Sequence, residues 1–540
     1  MKLVSVSQMR EIEKEANSGG LSYEHMLQNA GEGLAQIIFN EFKDDVHMLN
    51  AVGLVGSGNN GGDAMVALAA LVDAGWTASA YILGSRPADD PWIKKLVDHH
   101  IQLVQADLDP KFEALDELIS QTDVLLDGVL GTGIKLPLRP DIAAVLGHIS
   151  AMDDLPSVVA VDCPSGVDCD SGECAPEVIP ADITVCMAAV KQGLLRFPAF
   201  EKVGQLEIVD IGLPDDLPAW TRVRNRVVSQ VMAAAALPAR PMTAHKGTFG
   251  TALIVAGSIN YTGAAYLAAK AAYRIGAGLV RLAVPGPLHT ALAGHLPEVT
   301  WVILPNELGV ISKAAADVLL KNLDKANALL IGPGFGLEAT TGAFLKRLLV
   351  GKTVKSARGP ISFLSNPELN NGDSASGSIL PPMVIDADGL KLLAGIPDWP
   401  KRLPKNSILT PHPGEMAVLT GLKVEEIQSD RLNIAIRFAE EWGHVVVLKG
   451  ALTVIAVPGQ GASVVPVATA ALARAGTGDV LSGIITGLLA QGVSPAAAAE
   501  AGAWIHAQAG LQAEALLESS ASVLASDVLE SIPTVLHFLG

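Results

Sequence analysis

The sequence predicts two α/β domains, each built on a mostly parallel sheet covered by helices. Three observations carry this expectation. Short apolar runs repeatedly end in polar, glycine-bearing loops, and stretches of 3.6-residue periodicity follow them. The chain has 540 residues, enough for two or three cores, with two as the prior. Its 53 glycines and 32 prolines are scattered among the apolar runs rather than pooled, as the many turns of compact domains require.

Charge narrows the class of partner. With 38 basic and 56 acidic residues the formal net charge is −18, which argues against a nucleic-acid surface or an anionic membrane. An anionic ligand must then be held by local amides and a few cations, so small-molecule chemistry is expected. Cys163, Cys169, Cys174 and Cys186 crowd one region at spacings of neither a zinc ribbon nor a Cys-x-x-Cys pair. Reduced thiols and a cytoplasmic location are expected. The N-terminus lacks a signal-peptide core, and the apolar runs are broken well before the roughly 18 residues a spanning helix needs. Residues 496–503, alanine-rich after Pro495 and carrying Glu500, read as a buried helix.

In chain order, residues 8–43 show helical spacing and predict two helices before the first strand, with Asn29-Ala30-Gly31 as a close contact. A strand over 51–55 runs into Gly56-Ser57-Gly58-Asn59-Asn60-Gly61-Gly62-Asp63 and then an apolar helix over 64–74. This is the grammar of a dinucleotide-binding unit without its Gly-x-Gly-x-x-Gly spacing. Two adjacent carboxamides exceed what a plain turn needs, and Asp63 could bind a ribose or cap the helix. A strand over 79–83, helices from Trp92 and from Phe112, and a strand over 123–126 follow. The last opens onto Asp127-Gly128-Val129-Leu130-Gly131-Thr132-Gly133, and a strand over 158–161 opens onto Asp162-Cys163-Pro164-Ser165-Gly166-Val167-Asp168. In an open parallel sheet such loops meet at one crevice. Asp162 could act there or cap its own proline-containing turn.

Asn59 to Asp63, the Gly131-Thr132-Gly133 loop, Val161 to Gly166, Lys191-Gln192-Gly193-Leu194 and Asp210-Ile211-Gly212-Leu213-Pro214 together resemble the NAD(P)H-hydrate epimerase domain, over roughly residues 1–220. The resemblance implies a Rossmann-like three-layer domain. It implies a potassium ion among Asn60, Asp127 and Ser165, and Asp162 as the acid/base. It places the hydrated nucleotide against Asn59, Asn60, Gly61, Gly62 and Asp63, against Gly131, Thr132, Gly133, Ile134, Lys135, Leu136 and Pro137, and against Asp162 itself. Hard oxygen ligands of low total charge suit a monovalent cation. Ser57 and Ala64 stand where that family often has proline and glycine. Ala64 would tighten the loop if a positive φ were needed there.

Residues 212–242, with Pro214, Pro218, Pro238 and Pro241 around a short apolar helix, read as the link between domains. Beyond it, a strand over 252–256 leads to Gly257 to Ala264 and a long alanine-rich helix, and a strand over 279–284 follows. Strands ending near 331, 385, 409 and 448 then open onto Gly332-Pro333-Gly334-Phe335-Gly336, Asp386-Ala387-Asp388, Thr410-Pro411-His412-Pro413-Gly414-Glu415 and Lys449-Gly450. Helical stretches between them predict a parallel sheet. Residues 351–381 lack a period and read as a surface insertion. Ala475-Gly476-Thr477-Gly478-Asp479 precedes an apolar helix over 480–489, so backbone N–H groups at its positive end could hold an anion. Asp479 could take a proton from a hydroxyl there, or serve as an N-cap. His412 and Lys449 offer a hydroxyl or phosphate contact but also fit a rigid turn and a strand end. Asp386 and Asp388 could hold magnesium or cap a helix.

His245-Lys246-Gly247, Tyr261 to Ala264, Gly332 to Gly336, Val384 to Asp388, Thr410 to Glu415, Leu448-Lys449-Gly450 and Gly476 to Asp479 are similar, in order, to the ADP- or ATP-dependent NAD(P)H-hydrate dehydratases of the ribokinase-like superfamily. The implied fold is a ribokinase-like α/β domain. By this resemblance Ala264, Gly334, His412 and Asp479 touch the hydrated nucleotide, with Asp479 catalytic. Lys449, Gly450, Ala451, Leu452, Thr453, Gly476, Thr477 and Gly478 bind ADP or ATP with Mg2+. Residues 1–222 would then form an epimerase domain and 223–540 a dehydratase domain. The expected function is repair of NADH and NADPH hydrates (NADHX, NADPHX) in a homo-oligomer. The alternative is a vitamin or sugar kinase fused to a nucleotide-binding module without catalysis.

Overall fold

A computed structural model describes residues 1–43, 48–87, 89–350 and 380–540. Most of the 351–381 insertion lies outside the described residues. The chain divides into two compact units, Met1–Val227 and Val228–Gly540.

The sheet of the first unit runs in the order Gln102–Gln105, Thr77–Ile82, Asn50–Val55, Val124–Gly128, Ser157–Val161, Ile183–Met187, Gln205–Val209. Every neighbouring pair is parallel. Buried aliphatic clusters line both faces, as parallel strands with helical crossovers require. The chain leaves Asn50–Val55 in one direction and returns on its other side at Val124–Gly128. The switch point therefore lies where the loops carrying Asn59 and Asp127 emerge, and crevices form at such points. One expectation needs correction, because a short strand, Leu3–Val4, precedes the two helices Val6–Ser18 and Tyr23–Glu41. It pairs in parallel with Val190–Lys191, a contact set by tertiary placement rather than by any local pattern.

The sheet of the second unit runs Gly461–Val464, Val454–Val457, Val445–Leu448, Ile408–Leu409, Met383–Ile385, Ala328–Ile331, Thr251–Val255, Leu279–Pro285, Thr300–Leu304. From Val445–Leu448 to Thr300–Leu304 it is parallel, but Val454–Val457 is antiparallel to both its neighbours. The reason is chain length. Residues 449–453 are too few for a helical crossover, so the chain must turn back as a hairpin. The helix Thr477–Ala490 lies on this sheet against Thr262–Arg274. A Cβ on Gly483 would stand 2.4 Å from Ala268 O and one on Gly487 2.9 Å from Ala272 O. Only glycine permits that closeness, and it fixes the height of the loop in front of the helix.

Candidate active sites

In the first unit a cavity of about 430 Å³ opens at the switch point. Asn59, Asn60, Asp63, Gly131, Thr132, Gly133, Ile134 and Asp162 line it. The helix Asn59–Asp73 begins at Gly58, so neither Asp63 nor Ala64 is its cap, and Ala64 has ordinary helical backbone. Gly61 and Gly62 serve packing. A Cβ on Gly61 would meet Gly56 O at 2.1 Å, and one on Gly62 would meet the Leu27 side chain at 2.6 Å. Lys135, Leu136 and Pro137 follow in the same loop outside the cavity lining, with Lys135 and Pro137 exposed.

Asn60, Asp127 and Ser165 come together around Leu130. The Asn60 carboxamide donates to Leu130 O at 3.3 Å and to Val161 O at 2.5 Å. The Leu130 N–H donates to Ser165 Oγ at 2.8 Å, and the Ser165 N–H donates to Asp127 Oδ2 at 2.7 Å. Asp127 is fully buried, which raises its carboxyl pKa although the Ser165 contacts oppose that rise.

Asp162 sits at φ 66°, in the left-handed region that aspartate tolerates better than most residues. Oδ1 accepts from Met187 N–H at 2.9 Å and from the buried Lys191 ammonium. Burial alone would lower the Lys191 pKa, but the Asp162 charge beside it wins and raises it. The alternative role of Asp162, capping its own turn, is not what the geometry shows. Burial pushes the Asp63 carboxyl well above its ordinary range, and the Asp162 charge adds to the effect. One wall thus holds an ion-paired carboxylate and a carboxyl biased toward its neutral acid form. Lys191, Arg10 and Glu13 are not predicted as site residues by the sequence: Lys191 stands in the Lys191-Gln192-Gly193-Leu194 motif, while Arg10 and Glu13 sit on a helix whose spacing signals only amphipathic packing.

In the second unit, Gly476 at φ 93° caps Thr477–Ala490, so Asp479 stands in the first turn and is not the N-cap. Its carboxyl is pushed up to about 7, first by burial and then by Asp386, with Lys449 opposing. Lys449 Nζ lies 2.6 Å from Asp386 Oδ1 and 3.6 Å from Glu415 Oε2. Burial would lower its pKa, yet these carboxylates raise it. Asp386 Oδ2 is buried without a hydrogen-bond partner and faces Gly478, whose Cβ would lie 3.9 Å away. Asp388 opens the helix Asp388–Ala394 but points elsewhere, accepting from Gly336 N–H at 3.0 Å and pairing with Lys391.

His412 holds two posts. Nδ1 caps the helix Pro413–Thr420 by accepting from Gly414 and Glu415 N–H, while Nε2 lies 3.3 Å from Glu415 Oε1. Burial holds its pKa below the ordinary histidine value. Glu415 therefore bridges His412 and Lys449, a role that its place in a turn motif did not announce. Ala264 lies in the first turn of the helix Thr262–Arg274 and abuts Gly334, at φ 64°, where a Cβ would lie 2.8 Å from that of Ala264.

A second cavity, of about 280 Å³, is lined by Lys449, Gly450, Ala451, Thr453, Thr477 and Gly478, with Val465, Val467, Leu472, Leu481 and His506 among its other walls. Leu452 is not in its lining; it is buried at φ 55° and donates its N–H to Val467 O. Gly476 shapes the loop from behind. Among the described residues no group of three or more His, Cys, Asp or Glu forms a ready-made metal cluster, the four cysteines are unpaired, and no helix is long and apolar enough to cross a membrane.

Comparison with known proteins identifies the family. A family profile described as NAD(P)H-hydrate dehydratase matches residues 252–354 and 373–534, and one described as YjeF-related protein N-terminus matches residues 23–193. A bifunctional NAD(P)H-hydrate repair enzyme of Moorella thermoacetica is 35% identical, over 100% of this chain and 97% of its own length. The Escherichia coli enzyme of the same name is 32% identical, over 98% and 93%. The crystal structure of an ADP/ATP-dependent NAD(P)H-hydrate dehydratase from Bacillus subtilis, co-crystallized with ATP and Mg2+, superimposes with a TM-score of 0.45 at 29% identity, covering 58% of this chain and 99% of that one. With identity of this order sustained from end to end, the chain belongs to the family of bifunctional NAD(P)H-hydrate repair enzymes.

Proposed function

We propose that the chain interconverts the R and S hydrates of NADH and NADPH in its first unit and, in its second, dehydrates the S form at the expense of ADP or ATP. The carrying observation is Asp479, a carboxyl held at about 7 in the first turn of a helix whose N-terminal residues line a cavity together with Lys449. Near neutral pH such a group is part ionised, as a general base must be. Asp479 takes the proton of the C6 hydroxyl while that oxygen attacks the terminal phosphorus, and AMP or ADP leaves. Helix N–H groups and Lys449 bear the phosphoryl charge. The C6–O bond then breaks with phosphate as the leaving group, a proton departs from C5, and the reduced coenzyme returns. Phosphate leaves far more readily than hydroxide.

In the first unit the hydrate lies in the cavity, with Asp162 moving the hydroxyl proton and Lys191 holding that carboxylate in place. Asn60, Asp127 and Ser165 would hold potassium, which anchors substrate oxygens when bound. The fit rests on the chemistry of the set, one carboxylate, one hydroxyl and one carboxamide linked to each other through the Leu130 and Val161 backbone. Mg2+ fits the unpartnered Asp386 Oδ2, where it would neutralise the nucleotide phosphates.

The test is direct. Purified protein with both hydrate epimers and ADP or ATP should release reduced coenzyme and free inorganic phosphate. A product that retains labelled phosphate sinks the dehydratase reading in favour of a kinase. An R form that persists in the presence of potassium sinks the epimerase reading.

A further inference from the structure

Counted from Asn50–Val55 as the first, six of the seven strands in the sheet of the first unit run 3-2-1-4-5-6, the order of a dinucleotide-binding sheet. In that order the pyrophosphate lies at the start of the helix after strand one, here Asn59–Asp73, and the ribose of the adenosine half is read at the carboxyl end of strand two, here Thr77–Ile82. A further cavity, of about 410 Å³, lies at that end, with Gly84, Ser85, Arg86, Gln105 and Asp107 in its lining. It adjoins the 430 Å³ cavity across one glycine loop. Arg86 Nη1 donates to Gly56 O at 2.6 Å and to Gly58 O at 3.3 Å, and Gly58 lines the larger cavity.

We propose that the 410 Å³ cavity takes the 2′-phosphate of NADPH hydrate, with Arg86 as the residue that favours this substrate over NADH hydrate. This rests on the reading that the first unit acts on those hydrates, and it deepens that reading. A guanidinium carries five N–H donors. The Arg86 Nε–H goes to Asp90 Oδ2 at 2.7 Å and the two on Nη1 to the Gly56 and Gly58 carbonyls, which fixes the plane of the fork. The two on Nη2 meet no acceptor among the described residues, and Nη2 is not sealed from solvent. A fork held in this way binds a phosphate monoester without losing further side-chain freedom, whereas a ribose hydroxyl offers it only one neutral acceptor. The Ser85 hydroxyl, exposed beside it, adds a donor. Two carboxylates bear on the site. Asp90 is committed, with Oδ2 on Arg86 and Oδ1 on the Trp92 N–H of the helix it caps. Asp107 is exposed, so water and salt screen its repulsion of a phosphate.

The experiment follows epimerisation by the full-length protein with potassium and without ADP or ATP. The second unit then has no phosphoryl donor, and the approach of pure S hydrate to the mixture of epimers reports the first unit alone. The parent should show a kcat/KM about tenfold higher for NADPH hydrate than for NADH hydrate, with the difference residing in KM. Arg86→Gln should bring that ratio close to one. Ser85→Asp, which sets a carboxylate against the phosphate at an exposed position, should lower the ratio at least as far. A side chain that only holds the glycine loop would move both substrates together. A folded Arg86→Gln protein that keeps the parent's ratio or loses both activities alike therefore overturns the proposal, as does a parent that treats the two hydrates equally. If the glutamine variant does not fold, the parent's ratio and Ser85→Asp decide it. A parent that epimerises neither hydrate instead overturns the reading beneath the proposal.

Discussion

At the residue scale, Asp479 shows how one position trades stability for reactivity. Its carboxyl, near 3.8 when unfolded, titrates at about 7 in the folded chain. The stability it contributes is present below about pH 4 and is lost as pH rises through about 7, because the folded state resists ionising it. Asparagine does not titrate. Asp479→Asn should therefore melt at a higher temperature than the parent above about pH 7 and hardly differ below about pH 4, while dehydration falls by on the order of 10²–10⁴-fold. Thermal unfolding at the two extremes, with turnover measured alongside, checks both signs. In the parent, kcat/KM for dehydration should climb with pH to a plateau just above 7; a flat profile would remove Asp479 from the role of base. Asp162 allows a cleaner substitution, since asparagine also tolerates its left-handed backbone. Asp162→Asn should fold, keep dehydratase activity, and lose epimerisation by on the order of 10²-fold or more.

At the element scale, the decisive contacts are made by glycines that bring backbones together. The helix Thr477–Ala490 rides on Ala268 and Ala272 through Gly483 and Gly487. A methyl at Gly483 cannot be accommodated at 2.4 Å from a carbonyl, so Gly483→Ala should lift the helix, cost about 1–3 kcal/mol in denaturant unfolding, and weaken nucleotide binding although residue 483 touches no ligand. Gly61 plays the equivalent part in the first unit, where its Cα packs on Gly56 O. The hairpin over 449–453 belongs to this scale too. Its shortness forced an antiparallel strand into a parallel sheet, and the same turn carries Lys449, Gly450, Ala451 and Thr453 to the cavity.

At the scale of the whole molecule, two chemistries divide the work that neither completes alone. With ADP and an equal mixture of hydrates, the parent should return all of the coenzyme. Asp162→Asn should stall once the S form is consumed, at about half, and adding Asp479→Asn protein should restart the reaction, because that variant keeps a working epimerase. Following reduced coenzyme by absorbance through the two additions distinguishes the outcomes. Failure of the second protein to rescue would mean that the epimerase depends on residue 479 after all.

Much of this is legible in the sequence, where the signal is local. Asn59 to Asp63, Asp127 and Asp162 each follow an apolar run and precede a helix or tight turn, and in a parallel sheet that order puts them at the carboxyl ends of strands, where ligands bind. Gly476 to Asp479 follow no strand but open an apolar helix, a signal equally local. Strand pairing, ion pairing and burial depend on segments far apart in the chain and have no such signature. Lys191 reaches Asp162 from a later strand, Glu415 links His412 to Lys449, and His506 lines the 280 Å³ cavity from an alanine-rich helix that reads only as core. The amino-acid order alone determined which loops would carry chemistry, because loop, strand and helix grammar is written in neighbouring residues. Folding in three dimensions decided the charge state and partner of each group in those loops, because desolvation and Coulomb energy depend on what packs nearby.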